Sequence, residues 1–167
     1  MNRLYFLRHG IAVLSGTPGF MGDDRPLTEE GIDKMSKAAK GIRRLAENFD
    51  VILTSPLKRA HETALIVAKE MNIDNKVEVS KVLSPGCKLK ELMSLLSKYS
   101  DKEDILLVGH EPDFSQIIAG LAGADSSVVE LKKGALCRLD IEGFEQGQKA
   151  KIVQLLPPKI LRMLSKK

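Results

Sequence analysis

Short runs of consecutive apolar residues alternate along this chain with longer stretches in which apolar residues recur at helical spacing. The runs Leu4-Tyr5-Phe6-Leu7, Val51-Ile52-Leu53-Thr54 and Ile105-Leu106-Leu107-Val108 are too short for helices and rich in β-prone residues, so each reads as a buried strand. Thr28 is placed to cap a helix that runs to about Asn48, with Ile32, Met35, Ala39, Ile42, Leu45 and Ala46 on its buried face. Ser55 as N-cap and Pro56 as first helical residue open a second helix, with Leu57, Ala60, Ala64, Leu65, Val67, Ala68 and Met71 as its stripe. A short strand is expected near residues 77–79 and a helix around 89–98. A further helix should start at Asp113, where Asp113 and Gln116 can form a capping box, and reach about Leu121. Residues 135–141 and 150–156 read as two late strands joined by a turn at 143–147, an antiparallel edge hairpin. Pro157-Pro158 stops the second of them, and residues 159–165 predict a short terminal helix. Alternating strands and helices predict an α/β three-layer sandwich with a mostly parallel central sheet and an antiparallel edge. At 167 residues the chain is expected to be one domain, spanning residues 1–167.

The chemistry collects where the strands end. The first runs into Arg8-His9-Gly10, the second into Ser55-Pro56-Leu57-Lys58-Arg59, the third into Gly109-His110-Glu111-Pro112. A cation and an imidazole are costly at a buried strand end unless an anion sits there, and Gly10 reads as clearing space for a ligand. Lys58 and Arg59 fall in the first turn of a helix, where positive charge opposes the helix dipole; a bound anion removes that conflict. In open α/β sheets ligands bind at the carboxyl ends of the strands. Three such ends supply two histidines and two arginines, a set that can hold a phosphoryl group and attack it with an imidazole. The loop at residues 11–27, rich in Gly and Pro, is long for a connector and is expected to cover a site.

On these residues the chain resembles the histidine phosphatase, or phosphoglycerate-mutase-like, superfamily, and within it the SixA-type phosphohistidine phosphatases. The resemblance rests on Arg8-His9-Gly10, on Thr54-Ser55-Pro56-Leu57-Lys58-Arg59-Ala60 and on Gly109-His110, with Asp24-Arg25-Pro26-Leu27-Thr28 and Gln154-Leu155-Leu156-Pro157 in support. It implies a phosphoglycerate-mutase-like fold and a hydrolase that works through a phosphohistidine on His9. Arg8 and Arg59 would clamp the phosphoryl oxygens, where a planar fork suits better than an ammonium. His110 would add a donor, preferably as imidazolium. Mutases of the superfamily carry a Glu after the third strand region; the corresponding Val82-Leu83-Ser84-Pro85-Gly86-Cys87 has no carboxylate, a feature shared with SixA-type proteins. Glu111 departs from the SixA pattern. It stands where the acid-phosphatase branch has an Asp as proton donor, and it reads equally as a general acid or as a carboxylate complementing a helix start. The implied substrate is phosphohistidine in proteins. The alternatives are a small phosphorylated metabolite hydrolysed as a phosphomonoester, or a non-catalytic module that binds a phospho-ligand.

Composition narrows the classes further. A net charge of +4 with no Trp and two Tyr gives no basic stripe interleaved with aromatics, so no nucleic-acid partner is expected. The basic end from Lys149 onward, which holds no acid, reads as a solvated tail. Cys87 and Cys137 lack metal-ligand and Cys-x-x-Cys spacing, and Cys137 reads as a buried thiol. His61 lies two residues beyond Arg59, so on a helix it points elsewhere and reads as surface or packing. No histidine pair has helical ligand spacing and no acidic cluster joins them, so neither a metal nor another cofactor is expected. The longest uncharged stretch, residues 114–124, is too short to span a membrane, and the first apolar run is too short for a secretory signal, so a cytoplasmic location is expected.

Overall fold

The structure is a computed structural model and describes residues 1–45 and 48–166. The strands are β1 (Asn2–Arg8), β2 (Val51–Thr54), β3 (Val77–Val79), β4 (Asp104–Gly109), β5 (Leu136–Ile141) and β6 (Ala150–Leu156). The helices are α1 (Glu29–Leu45), α2 (Lys58–Met71), α3 (Leu89–Leu96), α4 (Asp113–Ala122) and α5 (Pro158–Leu164), with 3-10 turns between some of them. Among the described residues six strands form one sheet in the order β3-β2-β4-β1-β5-β6. β3, β2, β4 and β1 run parallel, and the β5–β6 hairpin closes the edge antiparallel. This is the three-layer α/β arrangement that the alternation predicts, with its antiparallel edge.

The pleat divides each central strand between two cores. Leu4, Phe6, Leu53, Ile105, Leu107, Cys137 and Leu139 face one side, where they pack with Leu92 and Leu96 of α3 and Phe114 and Ile118 of α4. Tyr5, Leu7, Ile52, Leu106, Val108 and Leu136 face the other, against α1, α2 and Leu161 of α5. Because β1, β2 and β4 are covered on both faces, they read as unbroken apolar runs rather than alternating ones. No helix among the described residues is long and apolar enough to cross a membrane.

Several local expectations change. Ile32 and Leu45 of α1 and Leu65 of α2 are 45%, 38% and 41% exposed. Small residues at Ala38, Ala39, Ala60, Ala64 and Ala68 let the helices and sheet approach closely, which narrows the buried stripe and leaves larger side chains outside it. Ala46, expected on the same stripe, lies outside the described residues. Ser55 does not cap α2; its hydroxyl accepts a 3.2 Å bond from the Leu57 N–H in a turn, and the helix starts at Lys58. Asp113 does not form a capping box either. Its carboxylate accepts the Gly86 N–H at 2.8 Å, and Glu111 takes the free Ser115 N–H of α4 instead at 2.9 Å. Gly10 also has a packing role: a Cβ there would meet Leu27 Cδ2 at 3.3 Å, so the missing side chain makes room for the loop and α1.

α5 sits directly on α1. A Cβ on Gly41 would lie 2.0 Å from the Leu161 carbonyl oxygen. Alanine is the better helix former by about 1 kcal/mol, yet the clash is with backbone and can be relieved only by moving α5. Gly41→Ala should therefore lower stability, by roughly 1–3 kcal/mol as overpacking does, read as a lower urea midpoint; an unchanged or raised midpoint would contradict this packing.

Candidate active site

Parallel register carries three strand ends to one edge. Arg8 pairs with Gly109 and Thr54 with Val108, so the residues that follow them, His9, His110 and Ser55, leave the sheet side by side. Backbone bonds continue past the strands and fix them there: His9 N–H to the Gly109 carbonyl at 3.2 Å, and Ser55 N–H to the Val108 carbonyl at 3.0 Å. The two imidazole centroids are 5.3 Å apart with the rings tilted at 56°. Both side chains are buried.

His9 is held in one tautomer. Its Nδ1 lies 2.7 Å from the Gly10 carbonyl oxygen, which can only accept, so Nδ1 carries the proton and Nε2 carries the lone pair. Burial lowers the His9 pKa to about 3, against the rise that the Gly10 carbonyl contributes and with further lowering by His110, Arg59 and Arg8. His110 is drawn down to about 4, by burial first and then by Arg59. In the ligand-free protein this favours His110 as neutral imidazole. Its Nε2 is 2.8 Å from Ser55 Oγ, whose hydroxyl can donate to it while accepting from Leu57. Nδ1 would then carry the proton, and it is buried with no protein partner.

Arg59 is almost wholly buried in the first turn of α2. Its Nη1 donates to the Asp23 carbonyl at 2.7 Å, and its Nη2 is 3.7 Å from the Asp23 carboxylate. Burial lowers its pKa, Arg25 adds to the lowering, and Asp23 opposes it. The long loop therefore does reach the site, as its length implied. Arg8 donates from Nη1 to the Leu131 carbonyl at 3.1 Å while its buried Nε has no partner. Its pKa too is lowered by burial, partly offset by Glu111. Glu111 itself is committed elsewhere: Oε1 accepts the Ser115 N–H and Oε2 the Ser115 hydroxyl. His61 is partly exposed on α2.

Sequence reading did not single out the residues that fasten these groups. Thr63 Oγ1 accepts the Gly10 N–H at 3.1 Å and donates to the Arg59 carbonyl at 2.7 Å, tying the exit of β1 to α2. Glu62 accepts the Leu27 N–H at 2.7 Å and holds the end of the loop. Arg25 donates to the Val13 carbonyl at 2.8 Å and stands 3.9 Å from the Asp23 carboxylate. The available signal was Thr63, a polar residue four positions after Arg59 and so on the same helical face. Among the described residues no three His, Cys, Asp or Glu side chains come together as a metal site.

The depressed imidazole pKa values have a sign that can be measured. Below the usual value of 6.5 the unfolded chain binds protons that the folded chain refuses, so stability falls as pH drops from 6.5 towards about 4 for His110 and about 3 for His9. Nitrogen-15 imidazole spectra at pH 5 should show His9 and His110 neutral, with His9 protonated on Nδ1. The acid decline of the urea midpoint should be shallower in a His9→Gln/His110→Gln variant. Titration of either ring near 6.5 would contradict this picture.

The sequence and the fold resemble those of known proteins. Residues 4–83 match the model of the histidine phosphatase superfamily (branch 1). An uncharacterised protein of Picosynechococcus sp. is 34% identical over 139 residues, which cover 81% of this chain and 83% of that protein. A 2,3-bisphosphoglycerate-dependent phosphoglycerate mutase of Bacteroides thetaiotaomicron is 39% identical over 75 residues, 44% of this chain and only 30% of the mutase. Among solved structures, the protein histidine phosphatase SixA complexed with tungstate superposes with a TM-score of 0.81 at 21% identity, covering 94% of this chain and 97% of SixA. A phosphoserine phosphatase mutant from Entamoeba histolytica gives 0.73 at 20% identity, covering 96% of this chain and all, 100%, of that one. Sequence match, fold and the gathered strand ends agree, and the chain belongs to the histidine phosphatase superfamily.

Proposed function

We propose that this protein is a metal-independent phosphatase that passes a phosphoryl group through His9, with phosphohistidine in a protein as its substrate. The observation that carries the reading is the His9 tautomer: the Gly10 carbonyl holds the Nδ1 proton and leaves Nε2 as a neutral nucleophile. Nε2 attacks phosphorus, a P–N bond forms, and the bond to the leaving group breaks. Water then attacks the phosphorus, the P–N bond to His9 breaks, and inorganic phosphate is released. Arg8, Arg59 and the Nδ1–H of His110 are the donors for the equatorial oxygens, where charge is greatest in transfer. In this reading the guanidinium charges do the work a metal does elsewhere. Active-site roles for Arg8, His9, Arg59 and His110 are part of the proposal, as is a single catalytic domain.

Glu111 supports the choice of substrate. An alkoxide leaves phosphorus poorly without a proton donor, whereas an imidazole protonated on its distal nitrogen leaves readily. Both Glu111 oxygens are engaged by Ser115 at the start of α4, an arrangement suited to capping. A second reading, hydrolysis of a small phosphomonoester with Glu111 as acid, is favoured by the position of Glu111 directly after His110 at the same strand end.

Four measurements test this. His9→Ala should abolish turnover, and acid labile, alkali stable phosphate should be trapped on His9 in the wild type; full activity in the variant excludes the mechanism, and a wild type that turns over no phosphorylated substrate leaves a binding module. Arg59→Ala should slow transfer by roughly 10²-fold, as loss of a preorganised charge does, while costing little stability because Arg59 opposes its helix dipole. Activity should persist in chelator. A panel of phosphohistidine, phospholysine and phosphomonoesters should favour phosphohistidine, with little change in Glu111→Gln. An alkyl phosphate hydrolysed far faster than phosphohistidine, with that advantage lost in Glu111→Gln, selects the second reading.

A further inference from the structure

A cleft of about 370 Å³ lies behind the first strand end, between α1, the loop at residues 131–134 and α5. Five cations line it: Arg8 at the end of β1, Lys34 from α1, Lys132 and Lys133 from the loop, and Arg162 from α5. No carboxylate lines it. Lys34 is paired with Glu30 at 2.5 Å, but Lys132, Lys133 and Arg162 make no ion pair among the described residues. The floor is apolar, formed by Met35, Ala38 and Pro158.

We propose that this cleft is a docking groove for an acidic peptide segment of a protein partner. Charge complementarity selects the sign of the occupant, since the rim is cationic and three of its charges have no internal partner. The apolar floor selects its form. A peptide can set carboxylates on the rim and an aliphatic side chain between them, whereas a small anion needs donors converging on one point. Here the cations come from four separate elements. The groove is also joined to the strand end that carries His9. The Gly134 N–H bonds the Arg8 carbonyl at 3.0 Å and the His9 carbonyl at 3.2 Å, and the Leu131 carbonyl accepts from Arg8 Nη1. The loop that bears Lys132 and Lys133 is thus fixed at both ends to the residues proposed for catalysis. Resting on the phosphoprotein reading above, the groove would hold the chain that flanks a phosphorylated histidine and add affinity without entering the chemistry.

Fluorescence anisotropy with a labelled twelve-residue peptide of repeated Glu-Glu-Leu, and its Gln-Gln-Leu counterpart, tests the groove directly. The Glu peptide should bind, the Gln peptide should bind at least tenfold more weakly (about 1.4 kcal/mol), and binding should weaken as salt is raised. Lys132→Glu/Lys133→Glu and, separately, Arg162→Glu should each weaken the Glu peptide roughly tenfold or more; the milder Lys133→Gln should weaken it less. All should turn over p-nitrophenyl phosphate like wild type, which also reports that they fold. His9→Ala should bind the peptide normally, so loss of catalysis in every form would undo the phosphatase reading and leave the groove standing. No binding, equal binding by wild type and charge variants, or complete displacement by inorganic phosphate would overturn the proposal; the last result would mark a small-anion site.

Discussion

The constraint on which everything else depends is the parallel register of β2, β4 and β1. Parallel neighbours end on the same edge, and their ladder does not stop at the last strand residue. It continues through His9 N–H to Gly109 and Ser55 N–H to Val108. The positions of both imidazoles are therefore set by backbone hydrogen bonds of the sheet, which are rigid, rather than by the surrounding loops, which are less so. A site assembled this way is organised before any ligand arrives, and that is where electrostatic stabilisation is most effective.

Burying two imidazoles beside two guanidinium groups is unfavourable unless the rings stay neutral. The structure resolves this with local acceptors and donors. The Gly10 carbonyl takes the His9 proton, Ser55 addresses His110, and the Asp23 carbonyl and carboxylate attend Arg59. What remains unsatisfied is confined to a few atoms, among them Arg8 Nε and His110 Nδ1. Buried polar atoms without partners are uncommon in proteins. Two of them belong to residues at the same sheet edge as His9, which is consistent with a region shaped for an anion carrying several acceptor oxygens.

Much of this was legible in the sequence because the central strands are buried on both faces. Continuous apolar runs marked β1, β2 and β4, and the polar residues directly after them marked the edge. The late hairpin and terminal helix were legible from proline and glycine punctuation. What escaped was tertiary. Small residues at Ala38, Ala39 and Ala64 narrowed the buried faces, so Ile32, Leu45 and Leu65 fell outside them. A local capping rule favoured Asp113, but the Gly86 N–H, far away in sequence, took its carboxylate and left the helix start to Glu111. Gly10 reads as clearance for a ligand because its neighbours in sequence are catalytic in type; its neighbours in space, Leu27 and α1, add a packing role. Burial, which the sequence does not display, draws the His110 pKa down.

The bond from Arg59 to the Asp23 carbonyl carries a kinetic meaning. One donor of the guanidinium already has an acceptor when the site is free of substrate. In the proposed reaction an arriving phosphoryl oxygen would compete with that carbonyl for it, so part of each encounter would be an exchange of acceptors. The same exchange run backwards would assist departure, with the Asp23 carbonyl at hand to take the donor back. On the proposed function, the loop would weaken the grip on the end product and on the incoming group alike, a compromise that favours repeated turnover over tight retention.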